Sequence, residues 1–174
     1  MTRELPHDPY ITAVRDALTA AGLNLTDHCW TDDGETRGTY CYLNAVVTLD
    51  PSGTVGEMAE DIPAGTPWPH GLLLIWEWHT GIEAEQGEPD KGPQWLFAEL
   101  KDDGSSAYPT VLPVVGYASP AAVVEAARKV ISREIRPTSF DGGWSTWTGD
   151  LIGDSWERHA ELDAACATWA AKEA

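Results

Sequence analysis

The sequence predicts a single α+β domain, in which an antiparallel sheet of about five strands has helices from both chain ends on one face. Three observations predict this class. The 174 residues suit one domain with a sizeable core. Capping signals mark helices near both ends of the chain, and between them stretches of alternating apolar residues follow one another with short turns, as in a meander. We therefore assign residues 1–174 to one domain.

The first helix is predicted to begin at Asp8 and Pro9. Asp8 can cap the helix, Pro9 suits the first helical position, and Gly22 suits the C-terminal end. Apolar residues between these signals recur at helical spacing and form one face, which comprises Tyr10, Ile11, Val14, Ala17, Leu18 and Ala21. We expect that face to pack on the sheet.

A β-hairpin is predicted next. Residues 25–31 and 39–49 form its strands, and residues 32–38, rich in Asp and Gly, form its turn. In the second strand alternate residues point to one side, which favours a buried face made of Cys41, Leu43, Ala45, Val47 and Leu49.

The three cysteines argue against disulfides and zinc. If the hairpin turn is centred near Glu35, Cys29 and Cys41 lie opposite each other, and we expect two packed thiols in a reducing compartment. Together with Cys166 they are an odd number without C-x-x-C spacing. This pattern predicts neither a disulfide framework nor a structural zinc site.

Three further strands are predicted over residues 71–80, 94–100 and 110–117. Pro113 places the last of them at a sheet edge or a bulge, and residues 83–93 form an acidic loop. The first of the three is the strongest strand, with Leu72, Leu74, Trp76 and Trp78 on one face and Leu73, Ile75, Glu77 and His79 on the other.

Two helices are predicted near the C-terminal end. Ser119, followed by proline, caps a helix over residues 120–133. Asp154 with Glu157 resembles a capping box for a last helix over residues 155–172. One stripe of that helix comprises His159, Leu162, Cys166 and Trp169.

The chain is strongly acidic, with 28 acidic and 11 basic residues and a net charge of −17. Such a charge repels nucleic acid and anionic lipid at long range, so we expect no direct binding to nucleic acid or membrane. The negative surface has two interpretations. It keeps the protein soluble, or it attracts a basic protein partner, in the extreme by imitating the phosphates of DNA.

The sequence predicts a cytoplasmic protein. No stretch reaches the roughly 18–20 apolar residues that a membrane helix needs. Residues 1–7 contain no apolar signal segment, and the longest apolar run, residues 72–76, fits a buried strand.

Glu77 and His79 are the best candidate pair for chemistry, because they share one face of a predicted strand. A carboxylate beside a histidine can perform acid–base catalysis or bind a metal. Two ligands are too few for zinc, and only the fold could add His28 and His70. The sequence contains no phosphate-loop, dinucleotide, zinc-protease or serine-hydrolase motif. We therefore interpret the pair as structural and expect no metal or cofactor.

The nine tryptophans are the second unusual feature. Those on predicted strands are core by default, whereas Trp68, Trp144 and Trp147 fall in predicted loops. Exposing a large ring has a cost unless it packs locally or meets a partner. We predict partner contacts at Trp68 and in the segment from Asp141 to Asp150. Local packing and a platform for a sugar or small molecule are the alternatives.

Three segments resemble small actinobacterial domains of unknown function: residues 71–82 (GLLLIWEWHTGI), Leu112-Pro113, and residues 119–127 (SPAAVVEAA). Those domains pair a strand ending in W-[DE] and glycine with a later helix that follows a proline and carries V-x-x-A-A. The resemblance implies an origin in an actinobacterial chromosome, mobile element or phage. It implies no activity and no site residues.

The leading hypothesis is a non-enzymatic protein-binding or adaptor domain that uses aromatic and acidic surface. It follows from the loop tryptophans, the net charge of −17 and the lack of catalytic motifs. One alternative is a DNA-mimic inhibitor of a nucleic-acid-binding or defence protein. The other is a small hydrolase-like enzyme that uses Glu77 and His79.

Overall fold

The computed structural model describes residues 5–36, 39–54, 57–79, 93–107, 109–136, 147 and 149–171. These residues form the helices α1 (Asp8–Ala20), α2 (Pro120–Ile131) and α3 (His159–Ala171) and a short 3-10 helix, Ala59–Asp61. They also form the strands β1 (Leu25–Thr36), β2 (Thr39–Leu49), β3 (Leu72–His79), β4 (Gln94–Glu99) and β5 (Thr110–Val111). The strands pair antiparallel in chain order. The predicted α+β meander with helices at both chain ends is therefore confirmed.

The helices bury one side of this sheet, which we call the covered face. Its central row consists of the cross-strand partners Ala45, Trp76 and Trp95, all fully buried. The helices contribute further residues of the same core, including Val14, Leu18, Val123, Ala127, Leu162 and Cys166. The alternation along β2 and β3 thus gave the buried face correctly, because every second side chain of a strand points the same way.

The cap of α1 differs from the prediction. The N-cap residue is His7, and Asp8 is the first helical residue. The Asp8 carboxylate accepts the backbone N–H of Leu5 at 2.6 Å and the hydroxyl of Thr31, so it ties α1 to β1 instead of capping. At the other end, Gly22 has φ +85° and donates its N–H to Thr19, which closes the helix as predicted.

The hairpin is longer than predicted. Pairing continues to Thr36 opposite Thr39, so residues 32–35 belong to β1 and not to a turn. Bulges shift the register twice along β1. Cys29 therefore lies opposite Val47, and the prediction that it faces Cys41 is wrong.

The strand β5 is much shorter than predicted and ends at Val111. It is the edge strand, as expected from Pro113, which has no backbone N–H to donate. The chain then leaves the ladder, and the carbonyl of Gly116 accepts the indole N–H of Trp76 at 2.9 Å.

Ser119 caps α2 as predicted, because its hydroxyl accepts the N–H of Ala122 at 3.2 Å. The capping box at Asp154 is wrong, since α3 begins only at His159. Asp154 instead accepts the Ser119 N–H at 2.7 Å, and Ser155 bridges to Ala118. Among the described helices none is both long and apolar enough to span a membrane.

Candidate binding site on the open face

The second side of the sheet, which we call the open face, changes from polar to apolar along its strands. Cross-strand pairing places Asp32, Asn44, Glu77 and Gln94 in one row and Trp30, Val46, Ile75 and Leu96 in the next. No apolar residue of the second row belongs to the core that the described helices build. The open face is therefore the side of the sheet that the described helices leave uncovered.

The fold brings the predicted pair Glu77 and His79 together at the polar end of the open face. His79 Nε2 lies 3.7 Å from Glu77 Oε2, and the two side chains are 19 % and 24 % exposed, respectively. The Gln94 amide donates to Glu77 Oε1 at 2.5 Å. Glu77 is thus oriented by an amide and an imidazole at once, which fixes the geometry of the pair.

Tyr42 reaches this pair because the residue opposite it is a glycine. Gly34 and Tyr42 are cross-strand partners, and a Cβ atom on residue 34 would lie 1.9 Å from Tyr42 Cε1. The tyrosine ring therefore occupies the space above Gly34, with its centroid 5.9 Å from that of His79. In the neighbouring row, Asn44 Oδ1 is buried and has no hydrogen-bond partner in the described part of the chain.

The histidines do not converge into one site. His28 and His70 line a cavity at the apolar end of the open face, away from Glu77 and His79. Among the residues that the structure describes, no group of three or more His, Cys, Asp or Glu is placed to hold a metal ion.

This cavity of about 390 Å³ lies beside Trp30. Trp30 forms one wall and is 50 % exposed, while Leu73 and Leu100 add aliphatic surface. Leu73 comes from β3, and Leu100 directly follows β4. The cavity is therefore assembled by side chains of several strands, and its volume falls within the roughly 300–1,000 Å³ of small-molecule sites.

The polar residues of the cavity lining are Lys101, His28, His70 and Thr48. His28 lies at a register shift in β1, just before Cys29. Thr48 is 3 % exposed, and its Oγ1 has no hydrogen-bond partner among the residues that the structure describes. Burying such a group costs about 1–3 kcal/mol.

Trp68, predicted to contact a partner, is buried. Its side chain is only 1 % exposed and belongs to the core. The indole N–H donates to the Ile131 carbonyl at 3.1 Å, and Arg133 covers the ring. Trp68 therefore offers no surface to a partner, and this part of the prediction is wrong.

The second predicted contact segment is described only in part. Trp147 is half-buried against the core and donates its indole N–H to the carbonyl of the exposed Asp150 at 2.9 Å. Lys129 lies 5.4 Å from its ring centroid. The other predicted contact residues, Asp141 and Trp144, lie outside the described residues.

Sequence reasoning missed Trp30 and Thr48. The tryptophans on predicted strands are expected in the core, which holds for Trp76 and Trp95, whereas Trp30 near a predicted strand has no predicted role and is exposed. A usable signal was present in β3, because both of its faces begin with apolar residues. A strand that is apolar on both sides predicts a second apolar surface beyond the main core.

Comparison of the chain with protein-family models, curated proteins and solved structures found no match. The resemblance of residues 71–82 to actinobacterial domains stays a prediction, and no relative assigns a role to the open face.

Proposed function

We propose that this protein is a non-enzymatic binding domain that contacts a basic protein through the open face of its sheet. The observation that carries the proposal is Trp30, a large aromatic residue that is 50 % exposed on that face and borders a cavity. Tryptophan is among the residues that most often anchor protein interfaces, because its ring buries a large area with few rotatable bonds.

The surroundings of Trp30 support an interface. Val46 and Ile75 continue its row and are half-buried, whereas Asp32 and Glu77 follow in the polar row. An apolar centre beside polar groups is the usual anatomy of a protein interface. The net charge of −17 favours a basic partner, since opposite charges accelerate association.

The test compares Trp30→Ala with Leu151→Ala. Leu151 is a matched control, because it is 48 % exposed but belongs to neither the sheet nor the cavity lining. Both variants and the wild type would capture partners from a lysate of the source organism, with quantification by mass spectrometry. The captured protein is then purified and its binding is measured. We expect Trp30→Ala to raise the Kd of this protein by roughly 30-fold or more and Leu151→Ala to leave the Kd unchanged.

A partner that binds Trp30→Ala and the wild type equally well would remove the open face from the proposal. Competition with duplex DNA distinguishes the DNA-mimic alternative from a contact elsewhere on the partner. DNA displaces this protein from a partner whose DNA-binding surface it occupies, and it leaves a contact elsewhere on the partner intact.

Catalysis by Glu77 and His79 is a second candidate, favoured by their separation of 3.7 Å and by the Gln94 amide that orients the carboxylate. A panel of chromogenic esters, tested with the wild type, Glu77→Gln and His79→Asn, measures this activity. Hydrolysis that both substitutions lower at least about 100-fold supports the enzyme. Rates equal to buffer alone exclude it for these substrates.

A further inference from the structure

We propose that the cavity beside Trp30 binds a small organic anion, namely a carboxylate carried by a flat apolar body such as an aromatic ring. This inference goes beyond the proposed protein contact, because a ligand in the cavity needs no partner protein. The cavity volume of about 390 Å³ is sufficient for such a molecule.

The apolar lining fits a ring. The indole of Trp30 stands at the cavity with half of its surface exposed, and Leu73 and Leu100 contribute aliphatic side chains. Aromatic rings pack favourably against indole in offset or edge-to-face arrangements. A flat ring in the cavity would therefore cover surface that Trp30 otherwise exposes to water.

The polar lining fits an anion. Lys101, His28 and His70 line the cavity, and its described lining contains no carboxylate, although the chain has 28 acidic and only 11 basic residues. The nearby carboxylate of Asp103 is engaged in its own turn, where it accepts the N–H and the hydroxyl of Ser105 at 2.9 and 2.6 Å. The lining itself thus carries the cation of Lys101 and no carboxylate, on a protein that is acidic as a whole.

Thr48 indicates a ligand rather than an empty groove. Thr48 lines the cavity, and its hydroxyl is buried from solvent without a hydrogen-bond partner among the described residues. Valine has nearly the same shape and would avoid the cost of burying an unpaired hydroxyl. Rotation of the Thr48 side chain toward the cavity would let a carboxylate oxygen accept its hydrogen bond and would satisfy this group.

The test uses benzoate, with benzyl alcohol as an uncharged control, in an NMR titration of the full chain. We expect benzoate to bind at least about 5-fold more tightly than benzyl alcohol, because Lys101 favours the charged ligand. Lys101→Gln should weaken benzoate binding about 3- to 10-fold. Lys129→Gln, which removes the same charge on α2, should leave binding unchanged.

Thr48→Val provides a second, independent readout. It should raise the melting temperature of the ligand-free protein by about 2–6 °C, since it removes an unpaired buried hydroxyl. It should also weaken benzoate binding about 3- to 10-fold, whereas Thr48→Ser, which keeps the hydroxyl, should bind like the wild type.

Three results overturn this proposal: no benzoate binding to the wild type, equal binding of benzoate and benzyl alcohol, or benzoate binding that neither Lys101→Gln nor Thr48→Val changes. None of these three results depends on the capture experiment with Trp30→Ala. Failure of the proposed protein contact is therefore distinguishable from failure of the ligand site.

Discussion

The guanidinium carbon of Arg133 lies 3.9 Å from the ring centroid of Trp68, and both residues have left-handed backbone, with φ of 68° and 50°. They are the non-glycine residues with positive φ in the described part of the chain. Trp68 belongs to the proline-rich segment before β3, and Arg133 follows α2. The contact therefore fixes an irregular segment to the end of a helix, and both residues accept backbone strain to form it.

Trp68→Ala should lower the free energy of unfolding by about 3–5 kcal/mol, because it empties a core position and frees the Ile131 carbonyl. Arg133 is 43 % exposed, so its cation–π contact contributes only about 0.5–1 kcal/mol. Denaturant unfolding monitored by circular dichroism measures the free energy of unfolding of the Trp68 and Arg133 variants. A small effect of Trp68→Ala would contradict its place in the core.

Arg133→Gly and Arg133→Ala separate the backbone strain from the contact. Both lose the guanidinium, but only glycine adopts φ of 68° without a steric cost. We expect the glycine variant to be more stable than the alanine variant by about 0.5–1 kcal/mol. The reverse order would show that residue 133 is not strained.

Gly34→Ala should destabilise the protein by about 1–3 kcal/mol, because the added methyl group takes the space of the Tyr42 ring. The same substitution in a Tyr42→Ala background should cost at least about 1 kcal/mol less, since the clash is then absent. Unfolding of the four proteins completes this double-mutant cycle. Equal costs in both backgrounds would mean that the ring moves away freely.

The meander and the buried face followed from the sequence because they depend on local signals. Alternation in β2 and β3, the Ser119 cap and Gly22 all act within a few residues of the feature that they predict. The Asp-Gly run at residues 32–35 also favours a turn locally, but pairing with β2 overrides it. The predicted capping box at Asp154 is wrong for a similar reason, because the Asp154 carbonyl takes part in a long-range contact and accepts the Ser119 N–H.

The candidate site likewise has one part that local sequence signals predict and one part that they do not predict. Glu77 and His79 were predictable as neighbours, because residues i and i+2 of a strand share a face. The cavity was not, since it combines Trp30, Thr48 and Leu73 from three strands with His70 from a loop. Their meeting depends on register, and a β1 bulge sets that register.

His7 should make stability depend on pH. The imidazole is fully buried, stacks on Trp76 with ring centroids 5.2 Å apart, and donates from Nε2 to the Asn44 carbonyl at 2.6 Å. A carbonyl only accepts, so Nε2 carries the hydrogen, and the buried Nδ1 has no donor among the described residues. Burial lowers the pKa of His7 below 6.5, although the Asn44 hydrogen bond and the charge of Asp8 raise it.

Because the folded state holds this proton less tightly, the unfolded chain binds more protons as the pH falls through about 6.5. The stability contributed by neutral His7 is present above this pH and is lost progressively toward the lower pKa of the folded state. Between pH 7.5 and 5.5 the wild type should lose more stability than His7→Gln in urea unfolding. Parallel pH profiles would assign the dependence to other groups.

Tyr10→Phe should lower the free energy of unfolding by about 1–3 kcal/mol, although it removes a single oxygen. The Tyr10 hydroxyl donates to the Ala118 carbonyl at 2.5 Å and accepts the indole N–H of Trp95 at 2.9 Å, so it joins α1 to β4 and to the segment before α2. Without it, the Trp95 N–H stays buried and loses its acceptor. Thermal and urea unfolding measure the loss.

Tyr117→Phe is the matched control for this prediction. Tyr117 is half-buried, but the hydrogen bond that its hydroxyl donates to Asp163 at 2.9 Å is exposed, so water replaces the lost bond. We expect it to cost less than about 1 kcal/mol. If Tyr10→Phe costs no more than Tyr117→Phe, the buried hydroxyl does not hold the aromatic core of α1 and β4 together, and that core is stabilised by apolar packing alone.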